Sequence, residues 1–119
     1  QDLLRNDLRN WVPVAPMQLC GGDQDPVVFY FNTQLMQSYW TINAPATVPI
    51  GVVDLEVVGS NDPYTTLKQE FQVAKAAVAA DAIAGGATDA GAAAVATAYH
   101  ATLVAPFCFA TTRDFFANQ

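Results

Sequence analysis

The residues of this 119-residue chain best suited to chemistry are an aspartate and the single histidine. His100 ends an Ala-rich stretch and precedes Ala101-Thr102-Leu103-Val104-Ala105-Pro106, which reads as a loop able to set an imidazole at the rim of a sheet. Asp25 lies in Cys20-Gly21-Gly22-Asp23-Gln24-Asp25-Pro26-Val27-Val28, five residues after a short apolar run. Sites in open α/β sheets form at the C-terminal ends of strands. An aspartate placed there can accept a hydrogen bond from an imidazole Nδ1–H and hold the ring in the tautomer a general base needs. Each residue also has a plainer reading. A lone histidine is commonly a surface residue or a hydrogen-bonded core residue, and Asp25 also fits a turn before proline or a cap on the next helix. Asp23 is the rival acid two residues earlier, and Asp54 falls inside a strand pattern. One His, two separated Cys and scattered carboxylates do not form zinc-ligand spacing, so neither a metal site nor a cofactor is expected.

The elements that must position these groups alternate. Leu3, Leu4, Leu8 and Trp11 recur at helical spacing, so residues 2–10 read as a short helix. Pro13 and Pro16 end it, because proline lacks the amide donor and biases its predecessor away from helix. Residues 15–20 read as a buried strand that is apolar on both faces and therefore parallel. Residues 21–26 form a loop. A helix follows from Val27 to Ile42, with Phe31, Leu35, Tyr39 and Ile42 on one face. The run 50–58 is β-branched and bounded by Pro49 and Gly59, the clearest strand in the chain. Asp62 fits an N-cap with Pro63 at the first helical position. That helix shows Tyr64, Leu67, Phe71, Ala74 and Val78 on one face and stops near Gly85-Gly86. Asp89 can cap a second Ala-rich helix, 90–99, and a last helix ends in Phe115-Phe116. The expected class is α/β with a parallel sheet. Two strands alone leave unpaired edges, which suggests that the rest of the sheet lies elsewhere. The chain opens at Gln1 with neither initiator Met nor signal peptide and runs straight into a helical pattern, so it reads as a piece of a longer or processed chain.

Composition narrows the function classes. With 52% apolar residues the chain can build one compact domain. Charged residues are only 13%, and five Lys+Arg against eleven Asp+Glu give −6. That balance argues against a nucleic-acid partner, because affinity for a phosphate backbone comes from clustered cations. The longest low-polarity stretch, Ala76 to Val95, is broken by Asp81, Asp89 and Gly85-Gly86, so no membrane span is expected. Cys20 and Cys108 are the two cysteines. They fit two buried thiols or one bridge, and a bridge would imply an oxidising compartment.

The segment Gly21-Gly22-Asp23-Gln24-Asp25-Pro26-Val27-Val28 resembles the acid loop of α/β-hydrolases, in which a strand ends in Gly-x-x-Asp-x-x-Val. Gly22 matches the Gly, Asp25 the triad acid and Val28 the Val. The tail, Tyr99-His100-Ala101 through Phe107-Cys108 into Arg113-Asp114-Phe115-Phe116, is similar to that family's closing segment of a His followed by a loop and a last helix. The nearest likeness is to bacterial secreted lipase-, esterase- or peptidase-like serine hydrolases. The family's order is Ser, Asp, His, and Asp25 and His100 keep it. Two features depart from the pattern. No Gly-x-Ser-x-Gly elbow occurs, and the only serines are Ser38 and Ser60. In addition, 42 positions of mostly Ala-rich helix separate His100 from Val58, an insertion that reads as a lid over an acyl pocket or a helical spacer.

The resemblance implies that residues 1–119 are the C-terminal segment of a single α/β-hydrolase domain whose nucleophile-bearing part is absent. Asp25 and His100 would serve a Ser-Asp-His triad acting on a carboxylic ester, and the upstream segment would be the partner supplying the serine. Location would be secreted or periplasmic. If Asp25 and His100 meet, Cys20 and Cys108 are carried together, and a bridge would tie the acid loop to the His loop. Phe29, Tyr30, Phe31, Phe107 and Phe109 lean toward an apolar acyl group, or else are core. The competing classes are a non-enzymatic α/β interaction module and a hydrolase fold that has lost its chemistry and only binds. Distance discriminates: a triad requires the Asp25 carboxylate and the His100 imidazole within about 2.6–3.2 Å.

Overall fold

A computed structural model describes residues 11–118. The helix expected at residues 2–10 lies outside them. Two strands, β1 (Met17–Gly21) and β2 (Ile50–Asp54), form a parallel pair. Around them stand α1 (Phe31–Asn43), α2 (Thr65–Ala84), α3 (Ala92–Ala98) and α4 (Ala105–Ala117). A π-helical segment, Tyr99–Val104, joins α3 to α4 without a break. The α/β class and the parallel pairing agree with the sequence expectation. The register sets Met17 opposite Ile50 and Cys20 opposite Val53, so both strands end at one rim, with Gly21 beside Asp54.

Several boundaries differ, each for a local reason. β2 stops at Asp54 instead of running to Val58. The Asp54 carboxylate accepts the Glu56 backbone N–H at 2.9 Å, and this side-chain turn diverts the backbone from the ladder. Leu55 makes the last cross-strand bond, to the Gly21 carbonyl at 2.9 Å. Val57 and Val58 are consequently exposed. Helix α1 starts at Phe31, four residues later than expected, and its buried residue is Trp40. Trp40 stacks edge-on against Trp11 and donates its indole N–H to the Trp11 carbonyl at 2.9 Å. The apolar stripe of this helix is turned outward: Phe31, Leu35 and Ile42 are exposed and Tyr39 is half-buried.

The core lies between the strands and helices α2 to α4. Val53, Leu55, Phe71, Tyr99, Leu103 and Val104 form it, with Cys20, Leu67, Ala74, Val78, Phe107 and Cys108 packed around them. Phe71 is the hub, meeting Tyr99 and Phe107 edge-to-face at 5.9 and 5.4 Å between ring centres. The Ala-rich stretch therefore supplies the core with Ala74, Val78, Val95 and Ala98. Asp62 lies three residues before α2 and accepts the Tyr64 N–H at 2.8 Å, so Tyr64 takes the N-cap position expected for Asp62, and Asp89 accepts the Gly91 and Ala93 N–H groups at the start of α3. Gly91 is required at its position, since its φ is +78° and a Cβ there would stand 2.6 Å from the Ala79 backbone.

Among the described residues one helix, Ala92–Ala117, is long and apolar enough to cross a membrane by length and composition. One side of it packs into the core through Tyr99, Leu103 and Val104, and it is tied to β1 through Cys108.

Candidate active site

The acid loop follows β1. Asp25 N–H returns to the Gly22 carbonyl at 3.1 Å, closing a tight turn at the C-terminal rim of the sheet. The Asp25 side chain is buried, at 4% exposure. Its Oδ1 accepts two backbone amides, Val27 N–H at 2.8 Å and Val28 N–H at 2.9 Å. Its Oδ2 lies 2.7 Å from Nδ1 of His100, across 75 residues of sequence. One carboxylate oxygen thus serves the turn and the other meets the imidazole. Burial alone would raise its pKa. The bonds from Val28, His100 and Val27, with the attraction of the imidazole, outweigh burial and hold the carboxyl below its ordinary value. At neutral pH Asp25 is a carboxylate, which has only lone pairs to offer. Nδ1 of His100 is therefore the donor between the two groups, and Nε2 is the ring nitrogen not engaged by the carboxylate.

His100 reaches this position differently from the sequence expectation. Residues 101–106 are not a loop. They continue the helix, with a widened π turn over Tyr99–Val104. Pro106 explains the widening, because it has no N–H to give to the preceding turn and its ring crowds the carbonyls there. π turns inside helices recur at functional sites. The His100 side chain is 46% exposed while its partner is buried, so the carboxylate is shielded and the imidazole faces outward.

The disulfide is formed. Cys20 and Cys108 are bridged with their Cα atoms 5.6 Å apart, closing a span of 88 residues. Cys20 is the penultimate residue of β1, and Cys108 stands two helical turns beyond His100. The bridge thus fastens the helix that carries His100 to the strand that leads into the Asp25 loop.

Asp23 does not join the dyad. It is exposed, and its backbone N–H meets Asp54 Oδ1 at 3.3 Å. Of the aromatics expected near an acyl group, Tyr30 is buried and Phe107 packs on the core, while Phe29, Phe31 and Phe109 are exposed. A cleft of about 520 Å³ opens elsewhere, between Gln18, Val52, Ser60, Asp62, Lys68 and Phe115, and neither Asp25 nor His100 lines it. Among the described residues no cluster of three His, Cys, Asp or Glu side chains could hold a metal ion.

Sequence reasoning missed a second polar network behind the dyad. Glu56 accepts Lys75 Nζ at 2.6 and 2.8 Å, Gln72 Nε2 at 2.8 Å and the hydroxyl of Tyr99. Lys75 also meets Gln24 Oε1 at 3.1 Å and stands 5.5 Å from the centre of the Tyr99 ring. Burial opposes the charge of Glu56, yet the bonds from Lys75, Tyr99 and Gln72 pull its pKa below the ordinary value. Burial and then the Glu56 carboxylate push the Tyr99 hydroxyl far upward, so it stays protonated and donates. One signal was available: Lys68 and Lys75 flank Phe71 at i−3 and i+4, the same face of α2. Two cations on a core-facing stripe require anionic or carbonyl partners, and Lys68 finds Asp62 at 2.5 Å and the Val57 carbonyl at 2.7 Å. The chain matches no protein-family model, no curated protein and no solved structure.

Proposed function

We propose that this chain carries the acid and the base of a serine hydrolase of the α/β-hydrolase type, acting on carboxylic esters. The observation that carries the reading is the 2.7 Å contact between buried Asp25 Oδ2 and His100 Nδ1, at the rim where both parallel strands end. In this role His100 Nε2 takes the proton of a serine hydroxyl as its oxygen attacks the ester carbonyl. The same proton then passes to the departing alkoxide, leaving an acyl-serine. Water repeats the sequence in reverse roles, giving up its proton to Nε2 and releasing the acid and the serine. Asp25 stays ionised throughout and stabilises the imidazolium that forms at each step.

The serine and the oxyanion donors are assigned to a segment outside these 119 residues. Supporting this division, α1 and the acid loop expose Val27, Phe29, Phe31 and Leu35 together, an apolar area of the kind that a neighbouring part of a domain covers. The disulfide suits an extracellular or periplasmic site, where thiols are oxidised. The same exposed residues would serve an interaction module, the alternative reading.

The test is labelling with a fluorophosphonate probe of the polypeptide that contains this chain. The expected result is a single modified serine outside residues 1–119, lost in His100→Ala. Absence of labelling in the intact polypeptide would overturn the hydrolase reading and leave the interaction module.

A further inference from the structure

We infer that Tyr99 is a positioning residue that locks the acid loop and the base-bearing helix into one rigid ring, an assignment that rests on the dyad being the working acid–base pair of the proposed hydrolase. Four links close the ring. Asp25 Oδ2 meets His100 Nδ1. His100 is the covalent neighbour of Tyr99 at the start of the π turn. The Tyr99 hydroxyl donates to Glu56, and Lys75 bridges Glu56 at 2.6 Å to Gln24 Oε1 at 3.1 Å. Gln24 is the covalent neighbour of Asp25. Tyr99 thus reaches the residue before the acid through Glu56 and Lys75 while standing next to the base.

The strut is itself held on every side. Tyr99 is 1% exposed. Its hydroxyl donates to Glu56, whose orientation is set by Lys75 and Gln72 from α2. Its ring is fixed edge-on by Phe71. Gly22 of the acid loop approaches so closely that a Cβ there would lie 2.5 Å from the Tyr99 hydroxyl oxygen. A π turn has poorer internal hydrogen bonding than an α turn and depends on outside contacts to keep its shape. Tyr99 at its first residue and the Cys108 bridge beyond its last supply those contacts. The exposed imidazole would otherwise be free to rotate about its side-chain bonds, and a base held loosely loses the geometry on which its rate depends.

The test reads the dyad directly. In the 15N-labelled polypeptide that contains this chain, the His100 Nδ1–H bonded to a carboxylate gives a far-downfield proton resonance, assigned by its loss in His100→Gln. In Tyr99→Phe the ring remains and the hydroxyl is gone. Solvent exchange of that proton is expected to rise about tenfold, the effect of one ordinary buried hydrogen bond, and kcat to fall with KM unchanged. Trp40→Phe removes a comparable hydrogen bond in α1 and should lower stability without moving the resonance. If Tyr99→Phe does not fold, Glu56→Gln answers the same question, since it removes the charge that orients the hydroxyl. Unchanged exchange in the folded variant would overturn the strut, as would a wild-type protein with no such resonance. A wild-type protein that shows the resonance, responds to Tyr99→Phe and takes no fluorophosphonate would instead leave the strut standing and remove the hydrolase reading.

Discussion

Asp25 and His100 are unequal partners, and the inequality separates their effects. Asp25 is buried and satisfies two backbone amides besides the imidazole. Asp25→Ala strands the Val27 and Val28 N–H groups, so it should destabilise by about 2–4 kcal/mol in urea denaturation. His100 is half exposed and water replaces it readily. His100→Ala should change stability by less than about 1 kcal/mol, while hydrolysis by the intact polypeptide falls on the order of 10³–10⁴-fold. A loss of stability as large as that of Asp25→Ala would mean that the imidazole is mainly a structural group. Gly22 offers a steric probe of the same region. An added methyl meets a hydroxyl that Glu56 already holds, so Gly22→Ala should cost about 1–3 kcal/mol by overpacking and displace Asp25 from His100. The crystal structure of that variant would report the displacement directly. Both dyad residues were legible in the sequence because a Gly-rich loop after an apolar run and a solitary histidine are local patterns. The Tyr99–Glu56–Lys75 network was not, because its members lie 43 and 19 residues apart and only packing brings them together.

At the scale of elements, the position of each rim residue follows from where strands and helices stop. Asp54 ends β2 by capturing the Glu56 amide, and its Oδ1 also accepts the Asp23 N–H of the acid loop. Asp54→Ala removes a half-exposed turn-forming carboxylate and should cost about 1 kcal/mol. Hydrogen exchange at Glu56 and Asp23 should rise together, whereas a change at Glu56 alone would show that the rim loops are not coupled through Asp54. The element order, the parallel pairing and the aspartates near two helix starts could be read from sequence, since proline, glycine and side-chain turns act within a few residues. Two features could not. The spacing of Phe31, Leu35, Tyr39 and Ile42 marked a helix, but periodicity gives the spacing of a stripe and not the direction it faces, and the helix anchors on Trp40. Pro106 suggested a loop, since proline usually ends a helix. Here the helix persists by widening one turn, a tertiary solution supported by Leu103, Val104 and Tyr99 in the core.

Across the whole molecule, charge and covalent connectivity set the conditions under which the dyad stays assembled. Asp25, Glu56 and Asp62 all have folded pKa values below the ordinary ones, because hydrogen bonds from amides, Tyr99 and the two lysines outweigh their burial. A depressed carboxyl contributes its full stabilisation above its unfolded pKa, near pH 4, and loses it as pH falls through the folded value. Stability should therefore be level from about pH 7 to pH 5 with respect to these groups and decline below about pH 4. Asp25→Asn should shallow that acid limb by up to one proton, as read from urea midpoints measured across the range. The disulfide acts at every pH. It closes 88 residues and joins the strand before the acid to the helix after the base, and chain entropy sets its contribution at about 4–5 kcal/mol as an upper figure. The described residues hold two strands and a core drawn mainly from helices, and against an ordinary domain's total stability of about 5–15 kcal/mol that is a large share. Replacing both cysteines with serine, or reducing the intact polypeptide, should lower Tm by up to roughly 15–20 °C. Because Cys108 also ends the clamp on the π turn, the downfield His100 resonance should broaden well below the new Tm, before the helices melt. Simultaneous loss of the resonance and of helical circular dichroism would show instead that the bridge stabilises the molecule only globally and leaves the local geometry of the dyad to Tyr99.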